Sequence, residues 1–427
     1  MCKKSIFSVL AAAAVAALSL VSCDKIKNDI QYLGAQIVID ESQIPENMPK
    51  PDTYDVTFTN KVTGYSVSVK SSLNEKGEKI ASTSNIISGV YDITVTANAT
   101  LGGRQFNFTG SQTNVTIVAT LADCVVAVTG AEAGDLVIKE VLYNAADDGT
   151  AAGYQLQTFI EIYNNSDEVK YADGLAIGMP LSRETYQWTY QKDGYEKDEV
   201  TYDVGIPDDE KYVFLGNTVW QAPGTGTQYP IQPGESIVIA AYAKNHTETV
   251  NSSIDLSTAD FENFCEHYKE TNGQVDCNAI NMNLTSAIAT VTKYYSITVT
   301  GRGIVLFRPS VPLRDGNFIR SSNYPTTVGL EILKSDVIDA VDFVNKASSQ
   351  KYIDSDLDAG KLLNQGNKSG KGYLRKTKET RQDGRIILQD TNNSSNDFIS
   401  TDETEEKKPV IRRNAKRCAW STWTTAL

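Results

Sequence analysis

Hydrophobic and polar positions alternate through much of this chain with a period of two. Tyr54-Asp55-Val56-Thr57-Phe58-Thr59, Tyr65-Ser66-Val67-Ser68-Val69 and Tyr91-Asp92-Ile93-Thr94-Val95 each alternate, and Phe106-Asn107-Phe108 and Val115-Thr116-Ile117-Val118 continue the pattern. Successive side chains of a strand point to opposite faces, so this alternation predicts strands buried on one side, here rich in β-branched and aromatic residues. Strands at such short spacing, from about Tyr54 to Thr129, predict a small sandwich. The one long apolar run is different. Ile6 to Leu20 is rich in Ala, follows Lys3 and Lys4, and ends at Leu20-Val21-Ser22-Cys23. It is shorter than the roughly 20 residues that span a bilayer, and its layout is that of a secretory signal peptide.

The small residue before Cys23 makes the leader resemble a bacterial lipoprotein lipobox. The resemblance implies cleavage after residue 22 and lipid on Cys23. Several acyl chains on one cysteine hold a membrane firmly, at about 0.8 kcal/mol for each buried CH₂. Residues 23–52 then read as a lipidated tether, polar and closed by Pro45, Pro49 and Pro51.

Composition narrows the partners. The 427 residues carry a formal net charge of -13, which argues against a nucleic-acid partner, since that would want a basic face. The Lys and Arg residues past Lys361 are interspersed with Asp, Asn and Gln and read as a solvated surface. In an oxidising compartment Cys124, Cys265, Cys277 and Cys418 can form disulfides. Cys265 and Cys277, which flank a polar loop, are the best pair, while free thiols or a metal role for Cys265, His267 and Cys277 are alternatives. No CxxC supports the metal reading.

Within 53–130, Ser88-Gly89-Val90-Tyr91-Asp92-Ile93-Thr94-Val95 resembles the Gly-x-Tyr-x-Val-x-Val strand of carboxypeptidase-regulatory-like (transthyretin-like) domains. The larger block, 131–427, opens with Leu136-Val137-Ile138-Lys139-Glu140-Val141-Leu142-Tyr143 and continues with Phe159-Ile160-Glu161-Ile162-Tyr163-Asn164. Pro233-Gly234-Glu235-Ser236-Ile237-Val238-Ile239-Ala240, Gly301-Arg302-Gly303-Ile304-Val305-Leu306-Phe307 and Gln389-Asp390-Thr391-Asn392-Asn393-Ser394 follow. That order resembles the lamin-tail fold, an immunoglobulin-like β-sandwich, enlarged by insertions at Pro180–Pro207, Thr247–Leu284 and Asp315–Gln382. The combination of lipobox, regulatory-like domain and enlarged lamin-tail block resembles the Bacteroidota lipoprotein family known as domain of unknown function 4876. The resemblance implies an outer-membrane lipoprotein, facing the cell surface or the periplasm, that is accessory to a TonB-dependent transporter.

Chemistry-bearing motifs are sparse. The chain has no HExxH, no Gly-x-Ser-x-Gly elbow and no phosphate-binding Gly-rich loop. Of its two histidines, His246 follows an apolar run with Asp255 and Asp260 downstream, and reads as a backbone-bonded histidine at a strand end in preference to a ligand. Asp354, Asp356 and Asp358 alternate like the start of a calcium loop, but Ala359 stands where an EF-hand needs Gly and Gln365 where it needs Glu. An acidic surface turn and a non-EF calcium site are the two readings. Tyr186, Trp188 and Tyr190 would share one face of an extended segment, with Tyr195 and Tyr202 nearby. This aromatic ladder is the best ligand-binding candidate, against the alternative that it packs on the sandwich. Tyr212, Phe214 and Trp220 read as core or edge, and Trp420 and Trp423 as part of a final strand.

The sequence therefore predicts an all-β protein of two β-sandwiches, the second with long insertions. It predicts a non-enzymatic, membrane-anchored binding protein without an obligate cofactor. A structural or adhesive surface protein and a metal-dependent hydrolase using the Asp354–Asp358 cluster are the rivals.

Overall fold

Alternation accounts directly for the first domain. In Asp55–Asn60 the residues Val56, Phe58 and Asn60 face inward and the intervening ones outward. The computed structural model describes residues 31–409, apart from 45, 47, 102–103, 133, 182–187, 191–210, 265, 267–273, 287–301, 314–317, 322–327 and 406. The leader with Cys23, the segment with Cys418, and Trp420 and Trp423 lie outside the described residues. Among the described residues, no helix is long and apolar enough to cross a membrane.

The first sandwich packs a four-stranded sheet, in the order Ser72–Leu73, Lys79–Ile86, Leu33–Asp40, Leu121–Ala127, against a five-stranded one. The latter runs Ser66–Lys70, Asp55–Asn60, Gly89–Leu101, Arg104–Ile117, Thr129–Glu132. Between them lie Ile37, Tyr54, Val56, Phe58, Tyr91, Ile93, Phe108 and Val126. The strand Leu33–Asp40 falls inside the stretch expected to be tether. Its alternating Ala35, Ile37 and Ile39 are buried, and it pairs antiparallel with Lys79–Ile86 and parallel with Leu121–Ala127. The first domain thus begins near Leu33, because burying three apolar side chains outweighs the local signal of the prolines that follow.

The second domain packs two larger sheets. One has seven strands, ordered Ile280–Asn281, Phe261–Glu262, Ser236–Ala240, Phe159–Asn164, Leu136–Leu142, Tyr373–Arg375, Phe398–Ser400. The other has eight and is centred on Tyr212–Gln221, Ala176–Pro180 and Ile304–Phe307. Ile138, Ile160, Ile162, Ile177, Trp220, Ile239, Phe261, Leu306 and Phe343 fill the space between them. Burial of each such side chain is worth roughly 1.5–3 kcal/mol.

The central strands of this domain do not alternate. Leu136–Leu142, Phe159–Asn164, Ser236–Ala240 and Ile304–Phe307 are buried at every position, as strands covered on both faces must be. The insertions provide that cover. Leu256, Ala259 and Ala279 from the 247–284 insertion lie on Leu142, Phe159 and Val238. Leu388 of the hairpin Thr377–Thr380/Ile386–Leu388 lies on Val137 and Tyr163. Between these two covers a buried ion pair, Lys139 Nζ to Glu161 Oε1 at 2.9 Å, is sealed from water.

The 315–382 stretch, expected as a loop insertion, is built into the sandwich. Val337–Val341 pairs with Ile304–Phe307, and Tyr373–Arg375 pairs with Leu136–Leu142 and Phe398–Ser400.

Candidate functional site

The expected site residues do not converge on one place. Trp188–Tyr190 is a short strand pairing antiparallel with Phe318–Ser321 at one end of the eight-stranded sheet. Tyr186, Tyr195 and Tyr202 lie outside the described residues. Cys277 carries a free thiol, while Cys265 and His267 lie outside the described residues. Burial, then the nearby Glu262 carboxylate, pushes the Cys277 thiol up to about 12.

His246 has the backbone role expected of it. It is fully buried, with Nε2 2.8 Å from the Tyr242 carbonyl and Nδ1 2.8 Å from the Tyr154 hydroxyl. Burial lowers its pKa to about 4, so the ring stays neutral at pH 7. Asp260 accepts the Val238 amide at 2.8 Å and Asp255 the Ser257 amide at 2.9 Å.

The Asp354–Asp358 cluster does not form a cation cage. Lys334 Nζ stands 3.0 Å from Asp354 Oδ2 and 2.8 Å from Asp356 Oδ2, supplying the positive charge those carboxylates need. Asp358 turns inward, where it accepts the amides of Asp342 (2.9 Å), Gly360 (2.8 Å) and Ser394 (2.8 Å). Among the described residues, no group of three or more His, Cys, Asp or Glu is placed to hold a metal ion.

A cleft that sequence reasoning missed lies beside this cluster, between the two sandwiches. Its volume is about 260 Å³. The first sandwich contributes Lys61, Asp92 and Thr113, and the second contributes residues 349–355 and Lys361. Lys61 sits on a tight turn in which Asn60 Oδ1 accepts the amides of Val62 and Thr63, both at 3.0 Å. Its ammonium donates to Asn114 Oδ1 at 2.8 Å and lies 3.5 Å from Asp92 Oδ1. On the opposite wall a buried carboxylate fixes the loop: Asp342 Oδ2 accepts the amides of Tyr352 (2.8 Å) and Ile353 (3.0 Å). Burial raises Asp342 to about 7.

The lysines of that wall are held by neutral groups. Lys361 Nζ donates to the carbonyls of Ala347 (2.7 Å) and Ser349 (3.0 Å), and Lys351 Nζ donates to the carbonyl of Asp358. Neither forms an ion pair with a carboxylate of the described residues. Burial depresses the Lys361 pKa, Asp92 and Asp342 oppose that, and Lys351 and Lys61 add to it. Three lysines thus line one concavity. Of its two lining carboxylates, Asp92 is held by Lys61 and Asp354 by Lys334.

A second depression of about 500 Å³ follows the edge strand Phe398–Ser400. It is a broad trough lined by Lys371, which pairs with Asp402 at 2.7 Å, and by Lys361, which it shares with the interdomain cleft. The interdomain cleft is the better-built site. No spacing rule could have found it, because Lys61 and Lys361 come from different domains; the only sequence signal was the polarity of 345–361.

Comparison with known proteins places the second wall of the cleft in a family. Residues 232–405 match the family model described as "Protein of unknown function (DUF4876)". The crystal structure of a DUF4876 family protein from Bacteroides thetaiotaomicron VPI-5482 is similar over 91% of this chain and 99% of that one, with 25% sequence identity and a TM-score of 0.55. A leucine-rich repeat protein from the same organism aligns with 49% of this chain and 25% of its own, at 12% identity and a TM-score of 0.18, too low to carry an argument. Among curated proteins, none matches. One solved relative is thus similar through almost its whole length, and residues 232–405, which carry one wall of the cleft, match the DUF4876 family.

Proposed function

We propose that this chain is a lipid-anchored binding protein of the outer membrane, holding a ligand without covalent chemistry and acting beside a TonB-dependent transporter. The observation that carries the reading is the interdomain cleft, a concave site with convergent polar groups. The leader ending at Cys23 supports the anchor, and the resemblance to lipoproteins encoded with transporters supports the partner. His246 is sealed between Tyr154 and Tyr242, which removes it as a general base for catalysis at the surface. On this reading the first sandwich is a spacer above the membrane, and the second presents the cleft wall at residues 349–361.

Affinity isolation of the intact lipoprotein from its own membrane in mild detergent, followed by mass spectrometry, tests the proposal. A stoichiometric outer-membrane transporter is the expected result. Recovery of the protein alone would overturn the transporter role and favour an adhesive or structural one.

A further inference from the structure

Three observations about the cleft point to the class of molecule it takes. First, Lys61, Lys351 and Lys361 line the same 260 Å³ space from two domains. Second, the ammonium groups of Lys351 and Lys361 are held by backbone carbonyls, and the carboxylates of Asp92 and Asp342 act on Lys361 only through space, without a contact ion pair. Third, each lining carboxylate already has partners, Asp354 outside the cleft and Asp92 within it. Asp354 is bound by Lys334, while Asp92 is held by Lys61 and also accepts the Asn114 amide at 3.1 Å. Behind the Lys351 wall, Asp342 Oδ2 and both carboxylate oxygens of Asp358 accept backbone amides. Like charges gathered in a partly desolvated space repel one another, and a bound anion relieves that repulsion.

We infer that the cleft between the sandwiches binds a small molecule bearing an oxyanion group, gripped by Lys61 from the first domain and by Lys351 and Lys361 from the second. The inference rests on the capture reading above and names the ligand class of the same cleft. The volume admits one small ligand, such as an acidic monosaccharide or a phosphate- or sulfate-bearing group, and excludes a folded partner. Binding also ties the two domains together, since the gripping groups belong to both.

Isothermal titration of the full lipidated chain in neutral detergent, with inorganic phosphate, sulfate, D-glucuronate and neutral glucose as probes, tests this. Saturable binding of at least one anion, weakened at high salt and absent for glucose, is expected. The anion preferred separates a phosphate or sulfate ligand from a sugar acid. Lys361→Ala and Lys61→Ala should each weaken binding by about tenfold or more, a loss of roughly 1.4 kcal/mol. The two lysines lie in different domains, so a misfolded Lys361→Ala chain still leaves Lys61→Ala as a test, with melting temperature as the control. No binding of any anion, or binding unchanged in both variants, overturns the inference. Absence of anion binding alongside a co-purifying transporter would overturn it alone, whereas anion binding without a transporter would remove only the transporter role.

Discussion

Arg375 and Asp339 join the two sheets of the second domain through a buried ion pair, Nη2 of the guanidinium to Oδ2 of the carboxylate. Arg375 lies on Tyr373–Arg375 in the seven-stranded sheet, and Asp339 on Val337–Val341 at one edge of the eight-stranded sheet. The other donors of Arg375 are also used: Nε reaches the Ile138 carbonyl at 2.7 Å, and Nη1 the Gln389 carbonyl at 3.1 Å and Asp390 Oδ1 at 3.3 Å. Asp397 Oδ2 lies 3.6 Å from Nη1. One cation thus serves three buried carboxylates from three separate stretches of chain. Asp390 further accepts the Gly134 amide at 3.0 Å, tying the network to the link between domains.

Removing the cation should be costly. Arg375→Met leaves three carboxylates buried without their counter-charge, and breaking a buried pair in this way costs about 3–5 kcal/mol. Urea unfolding of the variant should show a loss of unfolding free energy of that size, with Arg375→Lys also destabilised because an ammonium cannot reproduce the guanidinium fork. A shift below about 1 kcal/mol in Arg375→Met would mean that the network is not closed as described.

The same network predicts a pH dependence. Burial raises Asp339 to about 7 and Asp397 to about 6, with Arg375 opposing and Asp390 adding to the rise in both. Both pKa values lie above that of an unfolded Asp, about 3.9. Between pH 4 and 7 the folded chain therefore holds more protons than the unfolded one, and this contribution to stability declines as pH rises through that window. Asp339→Asn mimics the protonated form, so its stability should fall less between pH 5 and 8 than that of the unaltered protein. Melting curves across that range measure the difference, and identical slopes would remove Asp339 as a source.

His246 acts in the opposite direction. Its folded pKa of about 4 lies below its ordinary 6.5, so the unfolded chain binds the extra proton between those values. Stability from the neutral ring is complete above pH 6.5 and is lost as pH falls towards 4, by on the order of 3 kcal/mol in full. His246→Gln, which keeps a polar side chain against Tyr154 and Tyr242, should be less stable at pH 7 and lose less on acidification to pH 4.5. A full loss in the variant would place the effect elsewhere.

Gly360 offers a steric test of the cleft wall. A Cβ there would stand 2.3 Å from Asn393 Oδ1, 2.4 Å from the Ser395 nitrogen and 2.7 Å from the Ser394 nitrogen. These groups are fixed, because Asp358 accepts the amides of both Gly360 and Ser394, and Ser395 Oγ bonds Lys361 at its amide (2.9 Å) and carbonyl (2.8 Å). Gly360→Ala should destabilise by about 1–3 kcal/mol, as overpacking does. Because Lys361 follows directly, anion affinity should fall in parallel. Retained stability in a melting experiment would refute the close approach.

What the sequence made legible follows from which residues obey a simple period. The first sandwich was readable because Val56, Phe58, Ile93 and Val95 alternate with Thr and Asp on an exposed face. The Phe159 and Ile237 strands were found as strands, yet their double-sided burial hides Glu161 and Lys139, which pair only across the sheet. The 337–341 and 373–375 strands were hidden for a related reason. Asp339 and Arg375 make both segments look polar, and each is buried only because the other, many residues away, satisfies it. Val337–Val341 and Tyr373–Arg375 consequently lack the periodic apolar signature of a strand. The cleft lay beyond reach because its walls meet only after both domains have folded.

The acidic turn supplies the last prediction. Asp354 and Asp356 share Lys334, whose ammonium stands where a cation would have to sit, and Asp358 is committed to three backbone amides. A calcium ion would need to displace Lys334 and to pull Asp358 out of the core, losing hydrogen bonds that hold the cleft wall. Millimolar calcium or a chelator should therefore leave the melting temperature unchanged. Asp356→Ala should cost no more than about 1 kcal/mol, because Asp356 is 37% exposed and such pairs are weak. Asp358→Ala, by contrast, strands the buried amides of Asp342, Gly360 and Ser394 and should cost several times as much. A calcium-dependent rise in melting temperature, lost in Asp356→Ala, would restore the metal reading and would require the loop to rearrange around Lys334.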